Sequence, residues 1–362
     1  MHPQIKVLQF GQTPTEAIEN HLQLTTMEKP APTCSEDILI KIVCSSISWV
    51  DLMMMCGVYQ HKPRLPFTPG LEYSGTIIAL GEEAQKAGFQ VGDNVFVDCF
   101  TTGPRTSGKY QQYGGFASYA LAPFKAVHQM PKSFSFAQAC NFLGNYETAY
   151  HALVYSAKLQ KGDSVLIHGA SGGTGLAAVH IAKAIGAHVI ATGRNLEKLK
   201  IVQKQGADDI LVLKEDEEGR YHFKDAVRSL LGGKGVDVVY DGVGGKVITE
   251  SLRTLRFQGK YLVIGWASTP LIAKEKQKTN VIPSNLVLMK SLHVIGSPAV
   301  ISAQKDPNIR KQRMNDLLGW VNAGKMVPYC TKVYPLTEIK EAFKARLSGD
   351  LVGGIAVQIS QN

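Results

Sequence analysis

The chain has 362 residues, 44% of them hydrophobic and 19% charged, with a formal net charge of +9. That length supports about two domains, each with its own core, and the composition excludes a disordered or fibrous chain. No apolar run reaches the ~18 residues that a membrane helix needs, and the first residues, MHPQIKVLQF, carry no long apolar core, so the expected compartment is the cytoplasm.

Six cysteines (Cys34, Cys44, Cys56, Cys99, Cys140, Cys330) are scattered with no C-x-x-C pair, which argues against a structural zinc lobe and against a disulfide framework. They read as inert, packed thiols. The positive balance suits a polyanionic cofactor as well as it suits nucleic acid. No basic run is interleaved with aromatics, so nucleic-acid binding finds no support as the main role.

In chain order, residues 1 to about 135 are β-rich. Ile38–Val43 reads ILIKIV, Tyr73–Leu80 and Asn94–Cys99 are β-branched or aromatic, and Gly and Pro punctuate them often. Thr101–Gly115, TTGPRTSGKYQQYGG, reads as an exposed loop. From about Asn141 apolar strands alternate with helical stretches: Ser164–Gly169, His188–Gly193, Asp209–Leu213, Val236–Asp241, Tyr261–Gly265 and Leu292–Gly296. Such alternation describes a doubly wound parallel sheet. Later come a helix over Arg313–Ala323, another from about Thr337 to Leu347, and a last strand, Gly354–Ile359, with no helix after it. That orphan strand suits a chain returning to complete its first domain. The expected domains are therefore 1–135 with 300–362, and 136–299.

The sharpest signal is Ser164–Gly193, SVLIHGASGGTGLAAVHIAKAIGAHVIATG. An apolar strand runs into Gly169, Gly172, Gly173 and Gly175, followed by a helix with Leu176, Val179, Ala182 and Ile185 on one stripe and then a second strand. This is the strand–turn–helix–strand unit of a dinucleotide-binding fold. Glycines let backbone N–H groups approach a pyrophosphate at the positive end of the helix. NAD-specific folds place Asp or Glu at the end of the second strand, whereas here Gly193-Arg194-Asn195 offers no acid. Arg194, with Lys198 behind it, is placed to bind a 2′-phosphate, which points to NADPH.

At Ser46–Ile77, SISWVDLMMMCGVYQHKPRLPFTPGLEYSGTI, the chain resembles the zinc-free quinone oxidoreductase branch of the medium-chain dehydrogenase/reductases. The resemblance continues through VGDNVF (Val91–Phe96), GGFASYALAP (Gly114–Pro123), NYETAYHAL (Asn145–Leu153), HGASGGTG, GKYLVIG (Gly259–Gly265) and IPSNLVLMKSLHVIG (Ile282–Gly296). It implies an α/β architecture, a Rossmann domain inserted into a GroES-like barrel domain made from both chain ends. Zinc-dependent alcohol dehydrogenases carry Cys and His as ligands where this chain has Ser48 and Leu71, so the resemblance implies no metal. Without a Lewis acid, the implied substrates accept hydride readily: quinones, or alkenes conjugated to a carbonyl.

The resemblance also assigns roles. Ser48 and Asp51 stand where relatives hold the nicotinamide end, with Asn common at the Ser48 position. Tyr59, in Gly57-Val58-Tyr59, matches a tyrosine lining the substrate site and a proton donor in related enoyl-thioester reductases; packing alone is its bland alternative. Asn145 is a candidate substrate contact or a helix N-cap, and Thr148 meets the nicotinamide. Ser171, Gly172, Gly173 and Thr174 match the pyrophosphate turn, and Gly265 and Trp266 a loop near the nicotinamide. Leu213 departs from the tyrosine many relatives carry beside the adenosine phosphate, and Gly353-Gly354 from their Gly-Lys. The resulting expectation is an NADPH-dependent reductase of quinones or α,β-unsaturated carbonyls. The alternatives are an enoyl-thioester (enoyl-CoA) reductase and a non-catalytic NADPH-binding or RNA-contacting protein. The resemblance further implies a homodimer through the last Rossmann strand, Leu292–Gly296.

Overall fold

In the computed structural model, residues 1–269 and 280–360 are described. The chain divides into two compact units, Met1–Gly144 with Val327–Asn362, and Asn145–Met326.

In the first unit β1 (His2–Val7) pairs antiparallel with β2 (Leu22–Met27). β3 (Asp37–Ser46) pairs antiparallel with β4 (Tyr73–Leu80) and with β6 (Tyr119–Pro123), while β4 pairs with β5 (Asn94–Val97) and β5 with β7 (Val127–Gln129). The period-2 rule places Ile38, Ile40 and Ile42 of β3 in one core with Tyr73, Ile77, Val95 and Val97. Val43 and Cys44 belong to a separate cluster with Cys140 and Ala356.

The second unit is a six-stranded sheet of β8 (Ser164–Ile167), β9 (His188–Gly193), β10 (Asp209–Val212), β11 (Val236–Asp241), β12 (Leu255–Val263) and β13 (His293–Gly296). Its order is β10-β9-β8-β11-β12-β13 and every pairing is parallel. Strand order reverses between β8 and β11, the place where such sheets receive ligands beyond the carboxyl ends of the strands. All four residues of β8 are buried, as a central parallel strand covered on both faces requires.

The chain then returns to the first unit. β14 (Cys330–Pro335) pairs parallel with β15 (Gly354–Gln358), and β15 pairs antiparallel with β3. That pairing accounts for the terminal strand that no helix follows. The boundaries fall at 144/145 and 326/327 rather than at 135/136 and 299/300. Helices Ala299–Lys305 and Pro307–Asn322 therefore lie in the second unit, where Leu317 and Val321 are buried and Arg310 and Arg313 pair with Glu147.

The segment Thr101–Gly115 is also not a simple exposed loop. Thr102, Gly103, Pro104, Gly114 and Gly115 are buried, and Lys109–Gln112 form a 3-10 turn. Lys109 Nζ and Tyr110 Oη donate to the buried carboxylate of Asp37 at 2.8 and 2.6 Å, which ties the loop to the start of β3. Of the six cysteines, Cys34 is exposed, Cys330 half-buried and the other four buried, all as free thiols. Burial pushes the Cys44 and Cys99 thiols up to about 12, so neither is a ready nucleophile. No helix among the described residues is long and apolar enough to cross a membrane.

Candidate active site

The glycine turn begins where β8 ends. His168 is buried, its Nδ1 2.8 Å from Thr192 Oγ1 and its Nε2 2.7 Å from Ser251 Oγ. Burial holds this imidazole below its usual pKa, so it stays neutral and pins the ends of β8 and β9 together. Gly169 follows at φ +63°, a conformation open to glycine at little cost. Gly172 caps the helix Gly173–Ile185, whose first backbone bond runs from Leu176 N to Gly172 O at 2.8 Å. The N–H groups of Gly173, Thr174 and Gly175 therefore have no intrahelical partner and can serve an anion. A Cβ at Gly175 would lie 2.2 Å from the Gly169 carbonyl oxygen, so the helix approaches the strand end as closely as backbone allows. Ser171 is half-buried in the same turn.

Asn145 and Thr148 lie on the helix Leu143–Tyr150, which meets this turn. Thr174 Oγ1 donates to Asn145 Oδ1 at 3.1 Å, and a Cβ at Gly173 would come within 2.8 Å of the same oxygen. Asn145 is the third residue of its helix and not its N-cap. The helix is anchored by groups that periodicity does not reveal. Glu147, buried, receives Arg313 Nη2 at 2.7 Å and Arg310 Nη2 at 3.0 Å. Tyr146 Oη lies 2.6 Å from His180 Nδ1, and Tyr150 Oη donates to Asp316.

Arg194 is exposed immediately after β9, and no carboxylate pairs with it among the described residues. Asn195 caps the next helix by accepting from Lys198 N at 3.1 Å, which places Lys198 on its first turn. Across the switch point, Asp241 ends β11 with Oδ1 accepting from Val243 N at 2.7 Å and Gly244 N at 2.9 Å, and Oδ2 from Tyr261 Oη. Ile264 N donates to Asp241 O at 2.9 Å and Ala267 N to Gly242 O at 3.1 Å, so the loop bearing Gly265 and Trp266 lies against the loop after β11. Trp266 is 45% exposed. Glycine turn, Arg194, Gly265 and Trp266 thus all occupy carboxyl ends of strands in one sheet. The set fits a dinucleotide: open N–H groups for the pyrophosphate, a cation without a counter-ion, and no acid beside it.

In the first unit Ser48 caps the helix Trp49–Met55 as half of a capping box. Its hydroxyl donates to Asp51 Oδ2 at 2.7 Å, its backbone N–H donates to the same oxygen at 2.9 Å, and Gly70 N donates to Asp51 Oδ1 at 3.0 Å. Asp51 is buried, and burial raises its carboxyl above the usual value despite these donors. The pair organises a helix start and the turn before Leu71. Tyr59 packs against the core that includes Leu52, Met55 and Leu71. Its phenol accepts from Arg105 Nη2, and the Arg105 guanidinium lies 5.2 Å from its ring centroid. Arg105 is absent from the sequence-derived candidates because its loop has no periodicity to show that it turns inward.

Residues 173–308 match the family described as zinc-binding dehydrogenase, and residues 35–132 the alcohol dehydrogenase GroES-like domain. The quinone oxidoreductase-like protein 2 homolog of Nematostella vectensis is 30% identical over 329 residues, covering 90% of this chain and 83% of its own. Among solved structures, a mycobacterial protein complexed with NADPH superposes with a TM-score of 0.79 at 25% identity, covering 99% of this chain and 100% of its own. The CurK enoyl reductase superposes with a TM-score of 0.79 at 26% identity, covering 99% of both chains. The chain belongs to the zinc-free quinone oxidoreductase branch of the medium-chain dehydrogenase/reductase superfamily. It is accordingly a nicotinamide-dependent oxidoreductase built as a GroES-like domain and a Rossmann sheet.

Zinc appears in the description of one matched family, and the donor set here does not fit it. Leu71 is a buried hydrocarbon, and the Ser48 hydroxyl is spent on Asp51. Neither replaces the imidazole or thiolate that the ion takes.

Proposed function

We propose that this protein is an NADPH-dependent reductase of quinones or of alkenes conjugated to a carbonyl, working without zinc. The observation that carries the reading is the close-packed glycine turn with Arg194 in place of an acid at the end of β9. Gly172, Gly173 and Thr174 would hold the pyrophosphate, Arg194 with Lys198 the 2′-phosphate, and Thr148, Gly265 and Trp266 the nicotinamide end. Bound there, NADPH supplies a hydride with its electron pair. The chain's own part is to hold cofactor and acceptor in register and to deliver a proton, for which Tyr59 is the candidate. Asn145, tied to Thr174, is placed to steady the turn; Ser48 and Asp51 act by shaping the helix start.

Steady-state assay of NADPH oxidation against benzoquinone, naphthoquinone, 2-alkenals and an enoyl-CoA tests the reading. Turnover with a quinone or an alkenal is expected, and none with any of them overturns it. Preference for the thioester supports the second reading, enoyl-thioester reduction, which the likeness to the CurK enoyl reductase favours. Tyr59→Phe should lower kcat for 2-alkenals about a hundredfold, within the range for a positioned acid, and affect quinones less, because reduced quinone oxygens take protons from water. Equal losses would leave Tyr59 with packing alone.

The assembly we propose is a homodimer through β13. This strand is the edge of the six-stranded sheet, Val294 on it is 38% exposed, and neighbouring Leu288 and Met289 are 79% and 75% exposed. Light scattering should give twice the chain mass; the monomer mass of 39.4 kDa contradicts it.

A further inference from the structure

One cation of the first unit is spent on a phenol instead of a carboxylate. Arg105 donates through Nη2 to Tyr59 Oη and through Nη1 to Cys99 Sγ at 3.4 Å, and its guanidinium lies 5.2 Å from the Tyr59 ring centroid. The Glu72 carboxylate also acts on it as a negative charge, and the Cys99 beneath it is a buried thiol pushed up to about 12. An arginine stays charged in proteins, so a half-buried one favours the negative form of a neighbouring group that it hydrogen-bonds. The group its Nη2 donates to is the Tyr59 oxygen. Because the phenol accepts from Arg105, its single proton is left to be donated elsewhere.

We propose that Arg105 is the positioning residue that makes Tyr59 an acid, by fixing the direction of the phenol O–H and holding the phenolate left when the proton departs. This rests on Tyr59 facing the substrate. The hydride and its two electrons come from the reduced nicotinamide cofactor, and the acceptor is an alkene conjugated to a carbonyl. The Tyr59 O–H bond breaks, its proton forms the new bond on the reduced acceptor, and the phenolate charge rests beside the guanidinium. A proton from water then restores the phenol. Burial and Arg105 act on this phenol in opposite senses, burial raising its pKa and Arg105 lowering it.

The direct test needs no substrate. Ultraviolet difference titration of the full chain against its Tyr59→Phe variant isolates this phenol, and the comparison is repeated in an Arg105→Met background. The phenol should titrate at higher pH without Arg105 and return toward its original position in Arg105→Lys; Arg105→Gln, uncharged but still a donor, should behave as Met does. With 2-alkenals, Arg105→Met should lower kcat about 10–100-fold, leave KM for NADPH unchanged and move the alkaline limb of the pH profile upward. An unchanged Tyr59 titration, or a loss of activity with an unmoved profile, overturns the proposal. Because the titration is read without turnover, it is decided separately from whether any quinone or alkenal is a substrate.

Discussion

Truncating Glu147 to alanine is expected to cost about 3–5 kcal/mol of unfolding free energy, the loss typical of removing one partner from a buried ion pair. Both Arg313 and Glu147 are nearly devoid of solvent contact, with side-chain exposures of 0% and 2%. Without the carboxylate, Arg313 keeps its charge while buried, and Arg310 loses its bonds to Glu147. Urea denaturation measures the loss, and a midpoint within experimental error of the parent contradicts it. Replacing Glu147 and Arg313 together by Leu and Met should recover much of the stability, because the pair's attraction is largely offset by its desolvation. The consequence for activity is indirect: Glu147 sits between Tyr146 and Thr148, so its loss should loosen the helix that holds Asn145 against Thr174.

Arg194→Ala is expected to raise the KM for NADPH while leaving that for NADH nearly unchanged. A bond from a guanidinium to a charged group is worth about 1.5–3 kcal/mol, or roughly ten- to hundredfold in affinity. NADH carries no 2′-phosphate, so it should not register the change. Arg194→Asp should go further and favour NADH, since a carboxylate bonds the ribose hydroxyl and repels the phosphate. Parallel titration of both cofactors by fluorescence measures this, and equal weakening for the two would remove Arg194 from the phosphate site.

Most of the Rossmann unit was legible because its signals are local. Six apolar runs became β8 to β13 in parallel order, and the glycine spacing at 169, 172, 173 and 175 located the turn. Gly175 shows why the glycine pattern is strict, since any Cβ there strikes the Gly169 carbonyl. The returning β15 was legible as a strand without a helix, and its partner β3 explains it. What escaped were contacts between residues distant in the chain. Glu147 and Arg313 are 166 positions apart (313 − 147 = 166) and neither lies in a pattern. The expected helix Arg313–Ala323 falls in the 300–362 span read as part of the barrel unit, whereas Pro307–Asn322 lies in the second unit, because nothing local marks its pairing with Glu147. The same blindness hid Arg105, whose loop is polar and glycine-rich yet carries Thr102 and Pro104 inside. Ser48 was legible as a departure from its relatives, whereas its capping of Asp51 required the backbone.

The proposed function stands on hydride transfer from NADPH to a conjugated acceptor without a metal. A single turnover of a 2-alkenal with NADPH deuterated at the transferring position of C4, run on protein treated with a zinc chelator, decides it. Deuterium is expected on the product's β-carbon, a second hydrogen from solvent, and a rate unaltered by the chelator. Bound cofactor that transfers no deuterium, or transfer that stops until zinc is restored, would overturn metal-free hydride transfer.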